Sequence, residues 1–129
     1  MSTLQVTSIK SHSSGAPVFQ NTSGTEKGQL AKAWINYNGT GTVSIRDSFN
    51  VSSLTDNGEG LYTITFTNAM SNDDYSRTCC AGENANTGGN RVAGLRLPAT
   101  GSFNLFTCNT GGSASDTPDT CVAALGDLA

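Results

Sequence analysis

Leu61-Tyr62-Thr63-Ile64-Thr65-Phe66-Thr67, entered through Asp56-Asn57-Gly58-Glu59-Gly60, is the stretch on which the fold turns. Alternate side chains of an extended chain point to opposite faces, so Tyr62, Ile64 and Phe66 share one side and three threonines share the other. That is a half-buried strand. The Asn-Gly and Glu-Gly steps ahead of it supply the positive-φ positions of a tight turn, and Val51 to Leu54 is its natural antiparallel partner. The same alternation predicts strands at Leu4 to Ile9, Ala31 to Tyr37, Val43 to Phe49, Tyr75 to Cys80, Arg91 to Leu97 and Phe103 to Thr107. Asn38-Gly39-Thr40-Gly41 joins two of these as a second hairpin. About eight short strands at close spacing imply an all-β fold, an antiparallel sandwich or a small jelly-roll-like barrel. One segment has helical spacing: Asp119 to Leu128, with Thr117 or Asp119 as cap and Val122, Leu125 and Leu128 on one side, weakened by Gly126.

Composition narrows the function classes. Ser, Thr, Asn and Gly make up 59 of the 129 residues, hydrophobic residues are 36%, and Glu and Lys occur three times each. A helical bundle needs far more of the strong helix formers. No apolar run approaches a membrane span, and Ser2 to Val6 lacks the basic and apolar regions of a secretory signal, so no membrane association and synthesis in a cytoplasm are expected. Seven Lys plus Arg against ten Asp plus Glu, with no basic run, leave no footprint for nucleic acid. The chain divides into a polar N-terminal arm, 1–28, and one β domain, 29–129. Within the domain, 29–75 is free of cysteine and 76–129 contains all four.

No catalytic constellation emerges. His12 lies in the polar arm beside Ser11 and Ser13, where a Ser/His/Asp site can be drawn on paper and nothing more. Asp73-Asp74 reads as a turn, since calcium needs more oxygen ligands than that pair offers. Gly39 to Gly41 and Gly88-Gly89 open no helix and precede no lysine, so they cradle no phosphate. The triplets at Asn21, Asn38 and Asn50 match the glycosylation pattern at the frequency an Asn- and Thr-rich chain produces. No enzyme activity, cofactor or metal is expected.

Cys79, Cys80, Cys108 and Cys121 lack the spacing of zinc or redox motifs. Neighbours on a strand point oppositely, so Cys79 and Cys80 cannot both serve one partner. A disulfide from one of them to Cys108 or Cys121, or two such bonds, would staple the polar C-terminal loops to the sheet; free buried thiols are the alternative. Glu83 to Asn90 and Asn109 to Pro118 are loops without aromatic residues, and loops of this kind carry specificity. Asn84, Asn86, Asn90, Asn109 and Asp116 are their candidate recognition residues.

Residues Gly24-Thr25-Glu26-Lys27-Gly28-Gln29-Leu30-Ala31-Lys32-Ala33-Trp34-Ile35-Asn36-Tyr37-Asn38-Gly39-Thr40-Gly41-Thr42, with Ile45 to Ser53, Thr55 to Gly58 and Tyr62 to Phe66, resemble a family of bacteriophage virion proteins. The family is common in phages of cyanobacteria and usually labelled tail-fibre or structural. Thr3-Leu4-Gln5-Val6 and Pro17-Val18-Phe19-Gln20-Asn21 are similar to it too, so the resemblance spans about 3–75. It implies a non-enzymatic homotrimer on the virion surface: a tail-fibre or appendage component in host attachment, or a capsid decoration protein. The arm would dock on other virion proteins and the domain would meet a host cell-surface molecule. A carbohydrate-binding module is the remaining class. Packing around a three-fold would bury Trp34, Tyr37, Phe49 or Phe66 more fully than a thin monomer core does, although Trp34 also suits that core.

Overall fold

The computed structural model describes residues 19–28, 30–82 and 91–129. The chain forms two compact units, 1–30 and 31–129. In the first, β1 (Phe19–Gln20) and β2 (Glu26–Gly28) form an antiparallel hairpin. Asn21 shapes its turn, its Oδ1 accepting from the Thr25 N–H at 2.8 Å. The stretch expected as an arm therefore contains regular structure at residues 19–28, while the strand expected at Leu4 to Ile9 lies outside the described residues, as does His12.

The second unit is all-β, with no helix among the described residues. Its strands are β3 (Ala33–Asn38), β4 (Ser44–Phe49), β5 (Val51–Asp56), β6 (Leu61–Phe66), β7 (Ser76–Gly82), β8 (Arg91–Ala99), β9 (Ser102–Asn109) and β10 (Asp119–Leu125). They form two antiparallel four-stranded sheets, ordered β4-β3-β10-β7 and β5-β6-β9-β8, an arrangement consistent with a sandwich.

The sequence-deciding hairpin is present, β5 pairing with β6 so that Leu54 faces Ile64. Tyr62, Ile64 and Phe66 are buried as the alternation requires. Across from them lie Ala33, Ile35 and Tyr37 of β3 and Val122 and Ala124 of β10, and Phe103 and Leu105 of β9 complete the core. Aromatic rings meet within it, edge-on for Tyr37 and Tyr62 with centroids 5.0 Å apart and for Phe66 and Tyr75 at 5.7 Å, and tilted for Phe66 and Phe103 at 5.7 Å. These are favourable quadrupole geometries.

The chain changes sheet between β4 and β5 at Asn50, whose φ is +56. Asparagine tolerates this left-handed corner, and its Oδ1 accepts from the Asn68 N–H at 2.7 Å. Asn38 likewise folds its own turn, its Nδ2 donating to Thr40 O at 2.8 Å. Asn21, Asn38 and Asn50, the three triplet asparagines, thus all serve backbone geometry.

A further segment differs from its sequence expectation. Asp119 to Leu128 is not a helix: Asp119–Leu125 is β10, hydrogen-bonded between β3 and β7. The apolar spacing fits both periods over so short a run, because Thr120, Val122 and Ala124 fall alternately on the core side. Two open backbone edges awaiting a partner outweigh the helix propensity of Ala123 and Ala124.

Candidate functional site

The outward face of the β4-β3-β10-β7 sheet brings together four of the residues singled out by sequence: Trp34, Phe49, Cys80 and Cys121. Register sets its rows. Trp34 stands opposite Phe49 on one side and Ala123 on the other, and Ala123 stands opposite Thr78. The adjacent row runs from Asp47 through Asn36 and Cys121 to Cys80. Trp34 is 37% and Phe49 53% exposed, whereas Tyr37 and Phe66 are core. Four aromatics grouped together by sequence are thus two buried and two outward. For Trp34 the period-two rule places it opposite Ala33 and Ile35, which are inside.

Beside Trp34 the face dips into an open groove of about 310 Å³, bordered by Asn36, Thr78, Cys80, Cys121 and Ala123. Its lining is mainly apolar, with the Trp34 ring at one side and Asn36 and Thr78 as polar groups on it. One end carries a polar chain: Arg46 Nη1 lies 3.0 Å from Asp119 Oδ1, Asn36 Nδ2 donates to that same oxygen at 3.0 Å, and the Asn36 amide also donates to Cys121 Sγ at 3.0 Å. Arg46 further caps the Pro118 carbonyl, tethering the start of β10. As a surface ion pair it contributes little to stability, but it orients Asn36. Sequence reasoning missed Asn36, Arg46 and Asp119, because their meeting depends on a pairing some 80 positions apart in the chain.

The four thiols are free and dispersed by face. Cys80 is exposed and directly opposite Cys121 on β10; Cys79 points the other way, against the core. Cys108 is buried in the second sheet and bridges Ala114. Burial pushes the Cys79 and Cys121 thiols above their ordinary range.

Of the loop candidates, Asn84, Asn86 and Asn90 lie outside the described residues. Asn109 Oδ1 accepts from the N–H groups of Gly111 and Ser113 at 2.9 and 3.1 Å, closing its own loop. Asp116 is committed internally: its Oδ1 accepts the Gly60 N–H and the Tyr62 hydroxyl, both at 2.7 Å. It is a tie between the C-terminal loop and the β5–β6 turn. Replacing it leaves a buried donor without its carboxylate, so Asp116→Ala is expected to cost about 2–3 kcal/mol in urea unfolding, and Asp116→Asn, which keeps Oδ1, markedly less. Equal midpoints for wild type and Asp116→Ala would contradict this role.

Asp73 and Asp74 sit in an exposed turn, where Asn72 Oδ1 accepts the Asp74 N–H at 3.0 Å. Among the described residues no three His, Cys, Asp or Glu side chains converge as a metal site would need. What this face offers chemically is apolar contact from Trp34 and Phe49, an adjoining groove with a mainly apolar lining, and a pair of facing thiols. No family model, no curated protein and no solved structure matches the chain.

Proposed function

We propose that this is a non-enzymatic bacteriophage virion surface protein, a tail-fibre or appendage component in host attachment, assembled as a homotrimer. The observation that carries the reading is the aromatic pair Trp34 and Phe49, side by side and outward on a sheet face that also exposes Leu125. Large rings left facing water are what a subunit interface covers, and desolvating them stabilises association at roughly 25 cal/mol per Å² buried. The resemblance over residues 3–75 supplies the virion context, and the N-terminal unit is the part we assign to docking on other virion proteins. Loop tips at the C-terminal end are left to meet a host molecule.

The oligomer is tested by multi-angle light scattering. A mass near three times 13.3 kDa is expected, falling to the single-chain value for the double variant Trp34→Ser, Phe49→Ser; a wild-type mass of one chain overturns the trimer. Location on the particle is tested by cryo-electron microscopy. Density at the distal end of a fibre supports attachment, and density at capsomer centres supports the alternative, a capsid decoration protein. Competition by purified protein against phage adsorption tests host contact directly.

A second reading draws on the same pair. An exposed tryptophan bordering a groove is the aromatic platform that a carbohydrate-binding module requires, although the C-terminal loop described here has none. Saturable quenching of Trp34 fluorescence by host surface polysaccharide, with an unchanged single-chain mass, would favour it.

A further inference from the structure

We propose that Cys80 and Cys121 form a redox-closable cross-strand dithiol, a single specific disulfide site on the outer face of the β10–β7 pair. The inference stands independently of the virion reading.

Register is its first support. Cys121 is the direct partner of Cys80 in an antiparallel ladder, flanked by Thr120 opposite Ala81 and Val122 opposite Cys79. Directly opposed residues have Cα atoms about 4.5–5.5 Å apart. A disulfide spans roughly 4.4–6.8 Å, so the bond needs no change of register. The second support is face. Cys80 is exposed and Cys121 half-buried on the same side, bordering the open groove, so an oxidant reaches them from solvent. Third, β7 is an edge strand, held within its sheet on one side only by β10, and so can adjust locally as the bond forms. Fourth, the Asn36 amide donates to Cys121 Sγ at 3.0 Å, holding that thiol on the groove side.

The other two thiols are placed out of reach. Cys79 faces the core from the opposite side of β7, and Cys108 belongs to the other sheet beneath the loop that carries Ala114. Among four cysteines the topology therefore selects one pair.

The chemistry is thiol–disulfide exchange with a small disulfide such as oxidised glutathione. The Cys80 thiolate attacks one sulfur of the oxidant, releasing one glutathione thiolate and leaving a mixed disulfide. Cys121, deprotonated, then attacks the Cys80 sulfur and expels the second glutathione. Two protein thiols become one disulfide, and one glutathione disulfide becomes two glutathione thiols. In a reducing cytoplasm the pair stays open, and on entering an oxidising medium it closes, clamping the edge strand to the centre of its sheet.

The test is equilibration of the purified full chain with oxidised glutathione, followed by denaturation, alkylation and peptide mapping by mass spectrometry. Two of the four thiols should disappear, the protein should be lighter by two hydrogens, and one cross-link should join Cys80 to Cys121. Four remaining thiols, a persistent glutathione adduct on Cys80, or a link through Cys79 or Cys108 would each overturn the proposal. The variant Cys121→Ser should stall at the mixed disulfide on Cys80; an intrachain bond formed in that variant overturns the assignment as well.

Discussion

Raising the pH above about 10 is expected to unfold the domain cooperatively, with all three of its tyrosines ionising together. Tyr37 and Tyr62 are fully buried and Tyr75 is 6% exposed. Burial pushes each phenol above its ordinary value, and for Tyr62 the neighbouring Asp116 carboxylate pushes the same way. A phenol whose folded pKa exceeds its unfolded one binds its proton more tightly in the folded state. Its contribution to stability is intact below the unfolded value of about 10 and is lost as pH rises beyond it. Three such groups give a slope approaching about 4 kcal/mol per pH unit, so a margin of roughly 5–15 kcal/mol is spent within a few units. Cys79 and Cys121, also raised, act in the same direction and begin to do so nearer pH 9. In a spectrophotometric titration, tyrosinate absorbance should stay flat past pH 10 and then rise in one step with the loss of the β circular dichroism signal. A gradual rise centred near pH 10 in a still-folded protein would show that the rings are open to solvent.

Replacing Gly60 is expected to be the most damaging single methyl addition in the described domain. Gly60 closes the β5–β6 turn at φ +66, where a side chain is strained. A Cβ there would overlap Thr107 O and lie 2.8 Å from Ser115 N. Both are backbone atoms in a paired network: Thr107 N donates to Gly60 O at 2.8 Å, and Ser115 N donates to Thr107 O at 3.1 Å. Relief would also displace the Gly60 N–H from Asp116. Strain and broken buried hydrogen bonds together cost about 3–5 kcal/mol, or roughly 15 °C or more in Tm. Gly41 provides the control, since its φ of +64 is nearly the same but a Cβ there meets nothing. Gly41→Ala should cost about 1 kcal/mol, and an equal loss at both positions would refute the packing argument.

Gly60 also marks the limit of local reading. The Gly58-Glu59-Gly60 turn announces itself in the sequence as a place for positive φ, but its intimacy with Thr107, Ser115 and Asp116 does not. For the same reason Asp116 reads as a loop-tip candidate when it is an internal tie. A loop rich in Asn, Asp and Gly looks alike whether its polar groups turn outward or are consumed by distant backbone.

Alternation and turn chemistry, both properties of a few neighbouring residues, determined by themselves that the chain makes β-strands, where most begin and end, and that β3–β4 and β5–β6 are hairpins. For β6 the inside and outside followed as well, because side chains must alternate: Tyr62, Ile64 and Phe66 are inward as read. For the four aromatics grouped by sequence the structure decided, with Tyr37 and Phe66 in the core and Trp34 and Phe49 outward. Only the tertiary structure decided what depends on meetings across the chain. Asp119–Leu125 is a central strand because β3 and β7 each leave an edge for it, a demand that no local pattern records. That pairing places Cys121 between Cys80 on one side and Asn36 on the other, and it turns four scattered cysteines into one facing pair and two separated thiols. Local sequence sets the period of the backbone; the partners of each edge are chosen by burial and hydrogen bonding summed over the whole domain.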